Sequence, residues 1–291
     1  MGYRKETLDP VTYKQWRWLL PGPPFPPVRA CIFDLDGTLI NSEDIYIGIY
    51  NNILHEYGKP DIPWSVNARM QSTGHKGNLE FLKWSGLPLG PEEWSAKVVA
   101  QWELFRQCQP LPGVVELLNT LADTKPPIHL AIASSTKYAL FKIKTSHLPS
   151  ITDKIPPQNR VFGDDRAMSD AKKKPMPDIF LIALERINEG LRNGESAVKP
   201  EECLVFEDSI AGVEAGRRAG MRVCWVPHQG LRDIWRGKEA EVMEGRTGEV
   251  PPTVGEAKEG EDQMWSRDGW AEVIMSLEDF RFENYGIQIE K

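Results

Sequence analysis

Ala30-Cys-Ile-Phe-Asp-Leu-Asp-Gly-Thr-Leu-Ile-Asn-Ser-Glu43 is the stretch on which the fold turns. Its first four residues form an apolar run with the length and bounding of a buried strand. The run ends in two carboxylates, Asp34 and Asp36, followed by Gly37, which tolerates backbone angles that other residues resist. Side chains two apart on an extended chain share a face, so both acids are presented at one sheet edge. In an open α/β fold, ligands bind outside the carboxyl ends of the strands. There the first acid is placed to attack, while the second handles a proton.

Downstream, the pattern alternates between helices and apolar strands. Strands are expected at Ile128 to Ala133, Arg160 to Phe162, Cys203 to Phe206 and Arg222 to Val226, with a last edge strand and a helical turn within Glu272 to Phe280. Between them, Val114 to Leu121, Tyr138 to Ser146, Pro177 to Ile187 and Ile210 to Ala219 read as helices. Such alternation predicts a doubly wound parallel α/β sheet with helices on both faces. Residues 44–109 break it: they read as helical throughout and are expected to form a small separate helical domain. Helices are expected there from about Ile45 to Tyr57, Gly77 to Trp84 and Pro91 to about Cys108. The core then comprises 28–43 and 110–291, and the Pro-rich residues 1–27 form an extended appendage. Within the core, about 237–268, rich in Gly, Glu and Pro, reads as a mobile acidic excursion.

Three later strand ends carry groups suited to phosphate. Leu130-Ala-Ile-Ala133 runs into Ser134-Ser135-Thr136, where hydroxyls and free backbone N–H groups at a helix start make an anion site. In Lys172-Lys-Lys-Pro-Met-Pro-Asp-Ile-Phe180, Lys174 immediately precedes a proline-led helix start. A cation there restrains repulsion between a phosphate and an acidic nucleophile, whereas Lys172 and Lys173 read as a solvated loop. Leu204-Val-Phe-Glu-Asp-Ser209 ends in adjacent Glu207 and Asp208. Close to Asp34 these acids would repel unless a divalent cation were shared. Mg²⁺, which takes oxygen ligands and keeps several waters, suits one or two carboxylates plus a phosphate oxygen.

In order along the chain, Asp34-Leu-Asp-Gly-Thr-Leu39, the serine after the second strand, Lys-Pro-x-Pro-Asp-x-Phe and Glu-Asp-Ser resemble the motifs of the haloacid dehalogenase superfamily of aspartate-nucleophile phosphohydrolases. The helical insert stands where this superfamily carries its cap. Lys144-Thr-Ser-His147, Gly163-Asp-Asp165 and Cys203 to Asp208 are most similar to the pseudouridine-5′-phosphatase branch, with β-phosphoglucomutase-like enzymes as further relatives. The resemblance implies a Rossmann-like core, Mg²⁺, and an aspartyl-phosphate formed on Asp34. It implies Asp36 as general acid–base, with its backbone carbonyl on the metal, and Ser134 and Lys174 on the phosphoryl group. Asp208 is implied as a metal ligand, Glu207 directly or through water. Gly37, Thr38 and Ser135 are expected to line the phosphate site. His75 and Lys76, in the glycine-flanked loop Ser72 to Gly77, are expected to reach the substrate from the helical domain.

The expected substrate is a small phosphorylated metabolite such as a nucleotide or sugar phosphate. A dehalogenase would leave Asp36 and the Glu207–Asp208 pair without a use. A phosphomutase would employ the same residues, and a non-catalytic binder would have no need of four matched motifs. With Lys+Arg 35 against Asp+Glu 42 and a net charge of −7, no polynucleotide partner is expected. There is no run of 18 apolar residues and no apolar segment at the start, so neither a membrane span nor a secretory signal is expected. The four cysteines show no metal-ligand spacing and fit a reducing compartment, the cytoplasm or the nucleus. A monomer is the expected state.

Overall fold

The computed structural model describes residues 25–71, 75–245, 247 and 269–289. Its centre is one sheet of six parallel strands: β1 (Ala30–Phe33), β2 (His129–Ser134), β3 (Arg160–Phe162), β4 (Cys203–Glu207), β5 (Arg222–Trp225) and β6 (Ala271–Val273). The spatial order is β3-β2-β1-β4-β5-β6, the doubly wound order expected from the alternation. From β1 the chain moves first to one side, through β2 and β3, then returns to the other through β4. The reversal falls between β1 and β4, where a crevice opens at the carboxyl ends of the strands. Register aligns Phe33 with Ile132 on one side and with Phe206 on the other, so the three strands end close to one another, with β2 running on to Ser134 and β4 to Glu207.

The period-2 pattern of the strands splits the core into two layers. Cys31, Phe33, Leu130, Ile132, Leu204, Phe206 and Cys224 face one layer, where Phe33 and Phe206 stack at 4.6 Å. Ala30, Ile32, Ala131, Ala133, Val161, Cys203, Val205, Val223 and Trp225 face the other. All four cysteines are buried free thiols.

Between β1 and the second strand stand α1 (Ser42–Glu56), α2 (Trp64–Met70), α3 (His75–Ser85), α4 (Pro91–Val99), a 3₁₀ turn (Trp102–Gln107) and α5 (Val114–Ala122). Here the structure corrects the sequence reading twice. The predicted helix from Pro91 to Cys108 ends at Val99, and Trp102 and Phe105 then sit in a 3₁₀ turn. Helix α2 lies where only a connection was expected after Pro63.

The remaining helices are α6 (Tyr138–Thr145), α7 (Asp178–Glu189), α8 (Ile210–Arg218), α9 (Gln229–Trp235) and α10 (Glu239–Met243). Helix α10 buries Val242 and Met243, so the start of the expected acidic excursion is packed rather than mobile. Residues 246 and 248–268, and the extension up to residue 24, lie outside the described residues. Among the described residues no helix is long and apolar enough to cross a membrane.

Candidate active site

Asp34 follows β1 directly, and its backbone N–H donates to the Phe206 carbonyl of β4 at 2.9 Å, fixing it at the reversal point. Gly37 turns the chain back with φ +77°, a region that strains residues with a side chain. A Cβ there would lie 2.3 Å from Asp208 Oδ2, so the loop after β1 and the end of β4 meet only because position 37 is bare.

Lys174 is fully enclosed at this point. Its Nζ donates to Asp34 Oδ1 at 2.6 Å, Glu207 Oε1 at 2.5 Å and the Ala133 carbonyl at 3.1 Å, tying together the ends of β1, β4 and β2. Burial works against this ammonium, but the two carboxylates outweigh it and hold its pKa above the ordinary lysine value. Burial pushes the Asp34 carboxyl up to about 8, with Lys174 pulling the other way and Glu207 and Asp36 adding to the rise.

Glu207 ends β4 and Asp208 follows it, and their carboxylates have different partners. Glu207 Oε1 is taken by Lys174, and Oε2 accepts from the Ser209 N–H and Oγ, both at 3.0 Å. Asp208 Oδ2 accepts from Gln71 Nε2 at 3.1 Å, while its carbonyl accepts from Trp225 Nε1 at 2.7 Å. Burial, then Glu43, Glu207 and Asp34, raise the Asp208 pKa well above the carboxylate range.

One oxygen each from Asp34, Glu207 and Asp208 lie within 4.8 Å of one another. Hard oxygen donors suit a divalent cation, and burial followed by neighbouring acids holds the Asp34 and Asp208 carboxyls above the ordinary range without one. Asp34 and Asp208 fit it best, since both oxygens of Glu207 already serve protein donors.

Asp36 is the less buried acid. Its Oδ1 accepts from Ser42 Oγ at 2.5 Å and from the Lys144 ammonium. Burial opposes its ionisation, but Lys144 outweighs burial and holds the carboxyl below the ordinary range. Ser134 is buried, and its Oγ accepts from the Thr136 N–H at 3.2 Å.

These groups open onto a cavity of about 500 Å³, lined by Asp34, Asp36, Ser134, Ser135 and Asp208 from the sheet edge. Its opposite wall belongs to the helical segment: Tyr46, Tyr50, Asn67, Gln71, Asn78, Trp94 and Trp102. Lys173, expected as a solvated residue, is exposed and also reaches the lining, with Lys137.

Of the sequence-predicted residues, Asp34, Asp36, Ser134, Ser135, Lys174, Glu207 and Asp208 come together. Gly37 and Thr38 are not part of the cavity wall. Thr38 is fully buried, and its hydroxyl has no partner among the described groups. His75 and Lys76 open α3, but their side chains lie outside the described residues.

Three groups escaped the sequence reading: Lys144, Glu43 and Gln71. Burial, followed by repulsion from Asp36, pushes the Glu43 carboxyl up to about 7. Gln71 Nε2 donates to both Glu43 Oε2 and Asp208 Oδ2 at 3.1 Å, joining the helical segment to the sheet edge. For Lys144 there was a signal: in Tyr138–Thr145 it takes the buried position one turn after Leu140, where a lysine demands a partner.

A crevice at the reversal of a parallel sheet, carrying acids, a buried lysine and a phosphate-sized hydroxyl turn, defines a class already familiar from known proteins. The family model for haloacid dehalogenase-like hydrolases matches residues 28–220, and the chain belongs to that family. It is similar to a Saccharomyces cerevisiae protein named "Probable pseudouridine-5′-phosphatase", 37% identical over 73% of this chain and 88% of the relative. A Drosophila melanogaster protein of the same name is 33% identical over 69% of this chain and 82% of its own. In overall shape it resembles a haloacid dehalogenase hydrolase of family IA from Entamoeba histolytica, with TM-score 0.61, 16% identity, and coverage of 89% and 97% of the two chains. The protein is thus an enzyme of the haloacid dehalogenase-like hydrolases, and both of these relatives carry phosphatase names.

Proposed function

We propose that the protein is a Mg²⁺-dependent phosphomonoester hydrolase working through an aspartyl-phosphate on Asp34. The substrate is a small phosphorylated metabolite. The yeast and fly relatives, both named for pseudouridine 5′-phosphate, point to that compound or another nucleotide or sugar phosphate. The observation that carries the reading is the Lys174 bridge. One buried ammonium holds the Asp34 carboxylate at the sheet edge, facing a cavity large enough for a phosphorylated sugar or nucleoside.

Asp34 and Asp208, with the Asp36 backbone carbonyl, would hold the cation, and Glu207 instead steadies Lys174 and the chain at Ser209. Bound there, Mg²⁺ supplies positive charge that neutralises Asp34 and Asp208 and the phosphate oxygens.

The first step forms a bond from an Asp34 oxygen to phosphorus as the bond to the ester oxygen breaks. Asp36, which takes up a proton from solvent as the substrate binds, gives that proton to the departing alkoxide. Lys144 keeps Asp36 ionised at rest, but an arriving phosphate dianion beside it raises its proton affinity again. In the second step Asp36 removes a proton from water as the water oxygen bonds to phosphorus. The bond to Asp34 breaks, inorganic phosphate leaves and the carboxylate is restored. Ser134 and Lys174 hold the phosphoryl oxygens and offset the charge developing on them.

The helical segment, residues 44–109, acts as a cap that closes the cavity against bulk water. Its aromatic and amide wall suits an uncharged, flat or hydroxylated leaving group.

A panel of phosphorylated metabolites, ranked by kcat/KM for phosphate release with and without Mg²⁺, tests the reading. Nucleoside 5′-phosphates should lead the ranking and require Mg²⁺. Asp34→Asn should remove turnover while the circular dichroism spectrum stays native. Phosphate release by Asp34→Asn at the wild-type rate would remove the covalent mechanism.

A further inference from the structure

Lys144 belongs to none of the motifs that define the site, yet its ammonium is the best-enclosed cation beside Asp36. Its side chain has no exposed area. Besides Asp36 Oδ1, Nζ bonds Tyr46 Oη at 3.0 Å and Thr136 Oγ1 at 3.2 Å. It also lies 4.5 Å from the centre of the Tyr46 ring and 4.6 Å from that of Phe105. These rings meet edge to face with centroids 4.6 Å apart.

The placement of these partners carries the argument. Tyr46 stands near the start of the helical segment and Phe105 near its end, so they mark the two passages by which that segment joins the sheet domain. Thr136 belongs to the hydroxyl turn after β2, and Asp36 to the loop after β1. A single buried ammonium therefore contacts both passages, the phosphate turn and the second acid. An unpaired ammonium in such surroundings is strongly disfavoured, so it cannot let Asp36 go without replacement. Ser42 binds the same oxygen, Oδ1, from the first turn of α1. With Oδ1 held twice, proton transfer falls to Oδ2.

We infer that Lys144 is a positioning residue: it fixes the Asp36 carboxylate for proton transfer and refers its position to the junction between helical segment and sheet. The inference rests on the reading of Asp36 as general acid–base. Lys144 itself is not among the residues that line the cavity.

The test uses the leaving group. A nucleoside 5′-monophosphate expels a poor alkoxide that needs a proton, whereas p-nitrophenyl phosphate expels a stable phenolate that needs little help. Since kcat/KM reports steps through the first P–O cleavage, it is measured on both substrates for wild type, Asp36→Asn, Lys144→Met and the double variant. Lys144→Met should lose at least about tenfold more on the nucleotide than on the aryl ester, within the range of general-acid effects. The double variant should fall within about twofold of Asp36→Asn alone, the behaviour of residues acting through one another. Equal losses on both esters, or a multiplied loss in the double variant, would overturn the inference while leaving the hydrolase reading intact. Should Asp36→Asn itself show no preference between the esters, the acid–base reading fails first, and the inference with it. If Lys144→Met does not fold, Tyr46→Phe, which keeps both rings, serves in its place. It should shift the ratio of the two kcat/KM values in the same direction, and an unchanged ratio would overturn the inference.

Discussion

At the scale of single residues, neighbours in sequence have separate duties because they meet different partners at the strand end. Glu207 is consumed by Lys174 and Ser209, while Asp208 faces the cavity. Their substitutions should therefore part company. Asp208→Ala should raise the half-saturating Mg²⁺ concentration by about tenfold or more, as loss of metal-site groups does elsewhere. An unchanged Mg²⁺ titration would mean that the ligands are elsewhere. Glu207→Gln should instead cost roughly 3 kcal/mol in urea unfolding, because one carboxylate is removed from a buried lysine that still needs it. A midpoint equal to wild type would contradict that assignment. Asp34, Asp36, Lys174 and Asp208 were legible in the sequence because each sits beside a strand end or turn marked by glycine or proline. Lys144, Glu43 and Gln71 lie on helices or at a helix end, and only tertiary packing brings them to the crevice. The Thr38 hydroxyl, expected near phosphate, is instead shut into the turn, since Gly37 swings the chain inward before it.

At the scale of elements, two helical glycines make opposite forecasts. Gly212 lies in the first turn of α8, where a Cβ would come 1.9 Å from the Glu207 carboxyl. Gly212→Ala must push Glu207 off Lys174 and should lower stability by about 2 kcal/mol or more. Gly48 lies inside α1 with nothing within 4 Å of a Cβ. Gly48→Ala should raise stability by about 0.5–1 kcal/mol, the difference in helix propensity. Chemical denaturation of the two variants in parallel checks both signs, and the same sign for both would contradict the packing described. The strands were readable to within a residue or two because buried parallel strands are continuous apolar runs bounded by turns. Helix α2 escaped because Trp64-Ser-Val-Asn-Ala-Arg-Met is only two turns long, too short for a helical period to show. Its Trp64 ring stacks on His228 at 4.3 Å, a contact between the helical segment and the approach to α9 that no local pattern announces.

At the scale of the whole molecule, the sheet gathers acids faster than it gathers cations. Asp34, Asp36, Glu43, Glu207 and Asp208 share the crevice with two buried ammonium groups, Lys144 and Lys174. The strand order produces this crowding, since β1 and β4 end side by side. The pH dependence follows. Asp34 rises from an ordinary 3.8 to about 8, and Glu43 from 4.5 to about 7, burial being the first cause of each. Between the unfolded and folded values the unfolded chain has released these protons and the folded chain has kept them. The folded form is therefore favoured at the acid end, and stability drains away as pH rises towards about 8. Metal-free protein should accordingly melt a few degrees lower at pH 8 than at pH 6, and Mg²⁺ should restore more at the higher pH. A melting temperature that rises over this interval without metal would contradict the electrostatic account.

The central claim is that Asp34 takes the phosphoryl group before water does. Wild-type protein mixed with its best phosphomonoester and Mg²⁺, quenched in acid within one turnover and digested, exposes the peptide that spans Asp34 to mass spectrometry. The account predicts a fraction of that peptide heavier by one phosphoryl group, abolished by Asp34→Asn and chased away by excess unlabelled reaction time. Phosphate release through the same turnover with the peptide never modified, at every quench time, would contradict it.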